Sequence, residues 1–258
     1  MHITLTGNLG SGKSTICKIL ENEYHYEIYS TGKVQRSIAE GMGISVLEMN
    51  QLMRSDHKYD HLIDDETARI SRENPDKAIV FDSRLAWHFV ERSFKVFLSV
   101  SLDVAAERVF HDNRGDVEKY TSLEDTKQQL RQRAAAEDVR YREIYGLNYF
   151  DFHNYDLILD STYCTPEVLA KLSMAEAEAY EKQQEEKGKE AGKATGTKIL
   201  ISPKRLGLQM ADLNLAAALY PEEVIKIRKT EEDFEITKGR ETAAAAAAAG
   251  MPFVWAEL

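Results

Sequence analysis

Cysteine is scarce in this 258-residue chain: only Cys17 and Cys164 occur, with no metal-type spacing between them. That leaves nothing for a cysteine-based metal site and fits a reducing cytoplasm, with Cys17 read as a small buried apolar residue. No run of 18 or more apolar residues exists, so no transmembrane helix is expected. The N-terminus enters an apolar strand pattern at once, without the charged and apolar regions of a signal peptide, so none is expected. Positive charge is in deficit. With 33 Lys and Arg against 43 Asp and Glu the net charge is −10, which argues against a general nucleic-acid or anionic-membrane surface and leaves room for a local basic cleft. Large apolar side chains are nearly missing between residues 175 and 198, a stretch that cannot bury a core and reads as an exposed helix running into a flexible linker. The overall hydrophobic share, 43%, is ordinary for a globular protein, and the length accommodates one large domain or two modest ones.

Against these absences stands one complete motif. Residues Gly7 to Ser14 read G-N-L-G-S-G-K-S, a full G-x-x-x-x-G-K-[ST] phosphate-binding loop. The apolar run 3–6 precedes it and the amphipathic run 15–20 follows, which is the strand–loop–helix context the motif needs. Glycines let the backbone turn its N–H groups inward around a polyphosphate, and the following helix adds its positive end. Lys13 is expected on the β- and γ-phosphates and Ser14 on Mg²⁺. The expectation is a bound nucleoside triphosphate, with its fate left open.

Strand and helix patterns alternate up to about residue 172. Strands are expected at 3–6, 26–29, 78–81, 94–100 and 155–160, and helices around 34–39, 46–70, 103–109 (with Asp103 as N-cap), 122–145 and from Pro166. Strands separated by helices imply a parallel sheet covered on both faces. After the charged stretch a strand is expected at 198–202, a helix at 205–228, a short strand at 234–236, a helix over the seven alanines 243–249 closed by Gly250, and a last strand at 253–255.

Four charged clusters bear on what happens to the γ-phosphate. Ser30-Thr31-Gly32-Lys33-Val34-Gln35-Arg36 follows the second strand and reads as a grip for a second phosphate or, equally, as a helix cap with an exposed Arg36. Asp82-Ser83-Arg84 ends the third strand. There Asp82 could orient Mg²⁺ through its waters and Arg84 could bind an acceptor phosphate, because α/β sheets bind ligands at the carboxyl ends of their strands. The segment from Glu107-Arg108 to Arg114-Gly115 suits a lid that excludes water. Arg133, Glu137 and Arg140 share one helix face near Arg131, as a phosphate and base-amino grip or a solvated salt-bridge ladder. His57 and His61, four apart, lack the general-base Glu of a zinc motif, and Trp87 and Phe89 read as core or pocket wall.

Together these blocks resemble the cytidylate kinases, which phosphorylate CMP and dCMP, and above all their short, archaeal-type branch. The resemblance runs from His2 to about Leu172 through the phosphate loop, Y-S-T-G-K-V-Q-R, G-M-G-I-S-V-L-E-M-N, D-S-R-L-A, A-E-R-V, R-Q-R-A-A-A-E-D-V-R-Y-R-E-I-Y-G-L-N and Y-D-L-I-L-D-S. It implies an α/β P-loop kinase fold with a five-stranded parallel sheet flanked by helices. It implies ATP on Gly7, Gly10, Ser11, Gly12, Lys13, Ser14 and Thr15 with lid arginines Arg108 and Arg114, and Mg²⁺ at Ser14 and Asp82. It places the acceptor on Ser30, Arg36, Arg84, Arg133, Glu137 and Arg140, with Lys13, Arg84, Arg133 and Arg140 catalytic. Two departures concern the acceptor: Glu137 stands where the bacterial branch has aspartate, and Ser83 precedes Arg84 where glycine is frequent.

Residues 234–254 resemble a ParB-like nucleotide-binding module, with a strand, a glycine, an Ala-rich helix and a closing glycine, although Glu241 and Thr242 replace its arginines. The expected organisation is a kinase-like domain over 1–174, a charged helix and linker over 175–197, and a small α+β module over 198–258. Two functions compete. One is an ATP-dependent CMP/dCMP kinase, or a small-molecule kinase with another acceptor; the other is a kinase-fold regulatory protein that only binds nucleotides. Small-molecule nucleotides are the expected partners, with no nucleic acid or membrane, in a cytoplasmic monomer or small homo-oligomer.

Overall fold

The computed structural model describes residues 1–44, 48, 49, 52, 53, 56–112, 120–187, 197–208, 224–231 and 233–258. The chain is an α/β protein built on a nine-stranded sheet in the order β2-β3-β1-β4-β5-β6-β9-β7-β8. The strands are β1 (His2–Gly7), β2 (Glu27–Ser30), β3 (Ile79–Asp82), β4 (Ser93–Ser99), β5 (Leu157–Asp160), β6 (Lys198–Ile201), β7 (Ile225–Lys229), β8 (Phe234–Lys238) and β9 (Val254–Glu257). From β2 to β6 every pairing is parallel. β1 lies at the centre of the kinase-like half, in register with β3 (Ile3↔Val80) and β4 (Ile3↔Phe94).

The helices are α1 (Lys13–Tyr24), α2 (Thr31–Gly41), α3 (Lys58–Glu73), α4 (Ala86–Phe89), α5 (Leu102–His111), α6 (Leu123–Tyr145), α7 (Pro166–Lys187) and α8 (Arg240–Ala248). Successive strand residues serve opposite faces, as a pleated strand requires. Val96, Leu98, Leu157 and Leu159 face Ile16 and Leu20 of α1 and Leu169 and Met174 of α7. Phe97 and Ile158 face the opposite layer, with Trp87, Tyr149, Phe152 and Tyr155. This two-sided burial accounts for strands that read as continuous apolar runs. α6 starts on the Ser122 hydroxyl, which accepts from the Asp125 N–H, and stops at Gly146 in the left-handed region (φ 68°).

The C-terminal segment differs from its expected form. It adds strands to the same sheet: β6 pairs parallel to β5, β9 antiparallel to β6, and β7 parallel to β9. Ile199, Ile201, Ile225, Ile227, Phe234 and Ile236 lie in one cluster with Phe97 and Ile158, so 198–258 and the kinase-like half share a core. Residues 225–229 are strand, not the tail of a helix over 205–228, because Ile225 and Ile227 alternate with the exposed Lys226 and Arg228. The expected helix does not begin at 205 either: Pro203–Arg205 is a single 3-10 turn and 206–208 are irregular, while 209–223 and the expected linker at 188–196 lie outside the described residues. The alanine run forms α8, and Ala243–Ala246 are all buried, so these small side chains pack the helix closely against its neighbours. Asp103 is not the N-cap of its helix: α5 begins one residue earlier, after Ser101, and leaves Asp103 in the first turn beside the helix's positive end.

Candidate active site

β1 delivers the phosphate loop at the carboxyl edge of the sheet. Two glycines are required there by close approach. A Cβ on Gly7 would stand 2.4 Å from Leu98 O of β4, and one on Gly10, whose φ is 76°, would stand 2.8 Å from Ala105 O of α5. The loop is thus seated on β4 and α5 before any ligand arrives. Asn8 reinforces the seat, its side-chain oxygen accepting from the Val100 N–H at 3.2 Å. Ser14 and Thr15, in the first turn of α1, are exposed, and the Ser11 side chain is buried.

Lys13 folds back over its own loop and donates to Gly7 O (3.1 Å) and Asn8 O (3.2 Å). Burial, then the nearby Arg84 guanidinium, pull its pKa down to about 7; Asp82 and Glu137 pull the other way. Two carbonyl dipoles do not balance a full ammonium charge, and a polyphosphate would.

Across the loop, Arg84 donates from Nη1 to Gly7 O (2.7 Å) and from Nε to Glu137 Oε2 (2.8 Å). Glu137 also accepts from Arg133 Nε at 3.2 Å and from the Tyr149 hydroxyl at 3.4 Å. Burial alone would raise the Glu137 pKa, but Arg84 and Arg133 outweigh it and bring the carboxyl down to about 2. Burial likewise works against the charged form of Arg84, and the Glu137 carboxylate reverses this, so the net shift is upward. The structure therefore joins Arg84, Arg133 and Glu137, from two separate sequence blocks, into one ionised cluster bonded to the phosphate loop. Asp82 sits alongside: its carboxylate accepts from the Ser30 hydroxyl at 3.1 Å, which leaves Ser30 without a side-chain cap on α2.

Behind Arg84 a cavity of about 60 Å³ is lined by Thr31, Gln35, Asp60, Asp64, Arg140 and Tyr141, among others. Arg140 is 3.7 Å from Asp60 Oδ1 and donates to the Tyr141 hydroxyl at 3.2 Å. Asp60 Oδ2 and Arg140 Nε are buried without a hydrogen-bond partner among the described residues, an arrangement that costs free energy until something fills it. Asp64 accepts from the Tyr145 hydroxyl at 2.6 Å, yet burial leads and brings its pKa up to about 6. Asp60 and Asp64 carry no sequence motif; their four-residue spacing on α3, which puts both on one helix face, is the one local signal for them. His61 packs edge-on against Tyr145 instead of pairing with His57.

Of the remaining expected residues, Arg36 is exposed on α2. Arg108 lies on the other side of the loop, donating to Ser161 O (2.7 Å) and, more loosely, to Gly10 O (3.4 Å). Arg114 is outside the described residues. Among the described residues no group of three or more His, Cys, Asp or Glu is placed to hold a metal ion. The Ser14 hydroxyl and the Asp82 carboxylate are hard oxygen donors, which fit a magnesium ion held mainly by phosphates and water. The arrangement as a whole sets cationic side chains on two sides of the loop, Lys13 on one and Arg84 with Arg133 on the other, with the Gly7 carbonyl between them.

Residues 2–163 match the cytidylate kinase-like family. The chain is 33% identical over 183 residues to a cytidylate kinase of Haloarcula marismortui, spanning 70% of this chain and 91% of that one. It is 31% identical over 162 residues to a cytidylate kinase of Methanococcoides burtonii, spanning 63% and 88%. It is also 32% identical over 175 residues to a stretch making up 34% of an S-adenosylmethionine-dependent nucleotide dehydratase of Lacinutrix mariniflava. Among solved structures, an uncharacterised protein from Eubacterium ventriosum superposes with a TM-score of 0.51 at 14% identity, over 69% of this chain and 99% of that one, a likeness of fold. No described helix is long and apolar enough to cross a membrane.

Proposed function

The chain belongs to the cytidylate kinase-like family of nucleotide kinases, and from that premise we propose that it transfers the γ-phosphoryl group of ATP to the phosphate of CMP or dCMP. The observation that carries this reading is Arg84, bonded at once to the phosphate loop at Gly7 O and to Glu137 of the Arg133–Glu137–Arg140 face. An arginine so held sits between a donor cradle and an anion-binding acceptor cluster. Phosphoryl transfer asks little covalent work of a protein; it asks for alignment and for positive charge around the moving group.

In this reading ATP lies on Gly7, Gly10, Ser11, Gly12, Lys13, Ser14 and Thr15, with Arg108 and Arg114 on the donor side. Lys13 leaves its loop carbonyls for the β- and γ-phosphates. Magnesium, when bound at Ser14 with Asp82 nearby, supplies further neutralisation of the phosphate charge. Arg84 and Arg133 hold the acceptor phosphate, Glu137 keeps both guanidiniums aimed, and Ser30 and Arg36 approach from the other wall. Arg140 and Asp60 line the cavity behind. A cytosine edge offers an amino donor beside two acceptors, which suits the unpartnered Asp60 Oδ2 and Arg140 Nε; uracil would set a carbonyl against the carboxylate.

A coupled assay of ADP release with Mg-ATP against CMP, dCMP, UMP, AMP and shikimate-type alcohols tests the proposal. Turnover with CMP and dCMP, and at least tenfold lower kcat/KM with UMP, is the expected outcome. Turnover with none of these acceptors overturns the kinase reading, and preference for another acceptor overturns the cytosine assignment.

A further inference from the structure

The family match ends at residue 163, and the segment that follows the linker is left without a role. Its Arg205, in a short 3-10 turn (Pro203–Arg205) after β6, has a side chain only 3% exposed. From Nη1 it donates to Ser99 Oγ at the end of β4 (2.6 Å) and to Asp160 Oδ1 at the end of β5 (3.0 Å). From Nε it donates to Asp233 Oδ1 in the β7–β8 turn (2.6 Å), and its guanidinium lies 4.9 Å from the Phe234 ring centroid. One side chain thus ties the C-terminal hairpin to the carboxyl ends of β4, which borders the phosphate-loop strand β1, and of β5 beside it.

The contacts continue from there to the loop itself. Asp160 Oδ1 also accepts from the Thr162 N–H (3.0 Å) and the Thr162 hydroxyl (2.6 Å), while Oδ2 accepts from the Ser202 N–H (3.0 Å). Thr162 Oγ1 in turn accepts from the Ser101 N–H at 3.0 Å. Ser161 N–H and hydroxyl both reach Ser99 O, at 2.8 and 3.0 Å. Arg108 then bridges Ser161 O to Gly10 O of the phosphate loop. A buried carboxylate that collects this many donors fixes the turn after β5 only while its counter-ion is present; without Arg205 it is a buried charge lacking its cation.

We infer that Arg205 is a positioning residue for the donor half of the active site, through which the C-terminal segment holds the 160–162 turn and Arg108 against the phosphate loop. This rests on the reading of the loop as the ATP site. Among the described residues no hydrogen bond runs from Arg205 to the Arg84–Glu137 cluster, and the contacts it starts end on Gly10, so its effect falls first on ATP. A side chain that merely stabilised the fold would affect both substrates alike or neither.

The test uses the full chain, with Arg205→Met, Arg205→Lys and Asp233→Asn. Calorimetric Kd values for Mg-ATP and for CMP are measured separately, alongside steady-state KM values and thermal midpoints. Arg205→Met should weaken ATP binding on the order of tenfold and leave CMP binding within about twofold. Arg205→Lys, which restores the cation to Asp160, should recover most of the loss. Asp233→Asn, a half-exposed change that loosens Arg205 without stranding Asp160, should weaken ATP binding about threefold if Arg205→Met does not fold. Unchanged ATP binding in a folded Arg205→Met chain, or in Asp233→Asn where that is the readable variant, overturns the inference, and so does parallel weakening of both ligands. A wild-type chain that binds ATP but turns over no acceptor sinks the proposed reaction and leaves this inference readable by calorimetry; a wild-type chain that binds no ATP sinks both.

Discussion

A phosphate loop in which Lys13 titrates near neutrality makes triphosphate binding a proton-uptake reaction. Burial, then Arg84, bring Lys13 to about 7, and the carbonyls of Gly7 and Asn8 offer dipoles instead of countercharge. A triphosphate sets full negative charges at the same place and restores the lysine toward or above its ordinary 10.5. At pH 8 a group titrating at 7 is about one-tenth protonated, so binding takes up about 0.9 proton there and about 0.5 at pH 7. Affinity should accordingly fall close to tenfold between pH 8 and pH 9, where the phosphates of the magnesium nucleotide no longer titrate. Calorimetry at pH 8 in buffers of differing ionisation enthalpy reads the proton number directly, and Lys13→Arg, whose guanidinium stays charged, serves as the control without uptake. The same shift acts on folding. Because the unfolded lysine binds its proton more tightly, the ligand-free protein gains stability from this group as pH rises from about 7 to 10.5, and bound nucleotide removes that dependence. Binding at pH 8 without proton uptake, and with affinity flat to pH 9, would refute the reasoning.

Glu137 moves stability with pH in the same direction, but in the acid range. Its carboxyl lies at about 2 against an ordinary 4.5, so it stabilises the fold above 4.5 by on the order of 3 kcal/mol and loses that as pH falls to 2. Glu137→Gln should lower the thermal midpoint at pH 7 and raise the acceptor KM, with the stability gap to wild type closing toward pH 2; a gap independent of pH counts against the ion cluster. Ending the chain at residue 196 should give insoluble protein. It removes Ile199, Ile201, Ile225, Ile227, Phe234 and Ile236 from the shared core, each worth about 1.5–3 kcal/mol of burial, against a total stability of about 5–15 kcal/mol. A soluble, active chain of 1–196 would show that the two halves fold apart.

What the sequence made legible followed from local rules. The phosphate loop, the strand ends carrying Asp82 and Arg84, and α6 with its serine cap and closing glycine are all written in contiguous residues. Arg133, Glu137 and Arg140 could be set on one face by spacing alone, but not their partner: Arg84 is 53 residues from Glu137 and meets it only through the fold. Asp60 and Asp64 were hidden for the same reason, since their neighbours Arg140 and Tyr145 lie on a distant helix. The C-terminal segment misled in another way. Its small size, beyond a polar stretch, suggested independence, whereas its alternating isoleucines needed a face to cover and found one in the aromatic layer of Phe97, Phe152 and Tyr155.

The order of strands shows how far that dependence goes. β9, the strand nearest the C-terminal end, is not at the edge of the sheet: it lies between β6 and β7. Among the described strands, the β7–β8 hairpin pairs with the rest of the sheet across β9, through Ile225↔Ala256 and Lys226↔Glu257. Val254 and Ala256 enter the shared core from the same strand. The hairpin is held as well by Asp233 on Arg205, by Lys229 Nζ donating to Phe150 O and by the Phe152–Phe234 ring contact. The contacts traced from Arg205 through Asp160 and Ser161 to Arg108 and Gly10 carry that attachment on to the phosphate loop. The C-terminal strands thus reach the phosphate loop through one buried guanidinium and the Arg84–Glu137 cluster through the aromatic layer, where the Tyr149 hydroxyl donates to Glu137; a lesion at Arg205 is expected to reach ATP first, and one in the aromatic layer the acceptor.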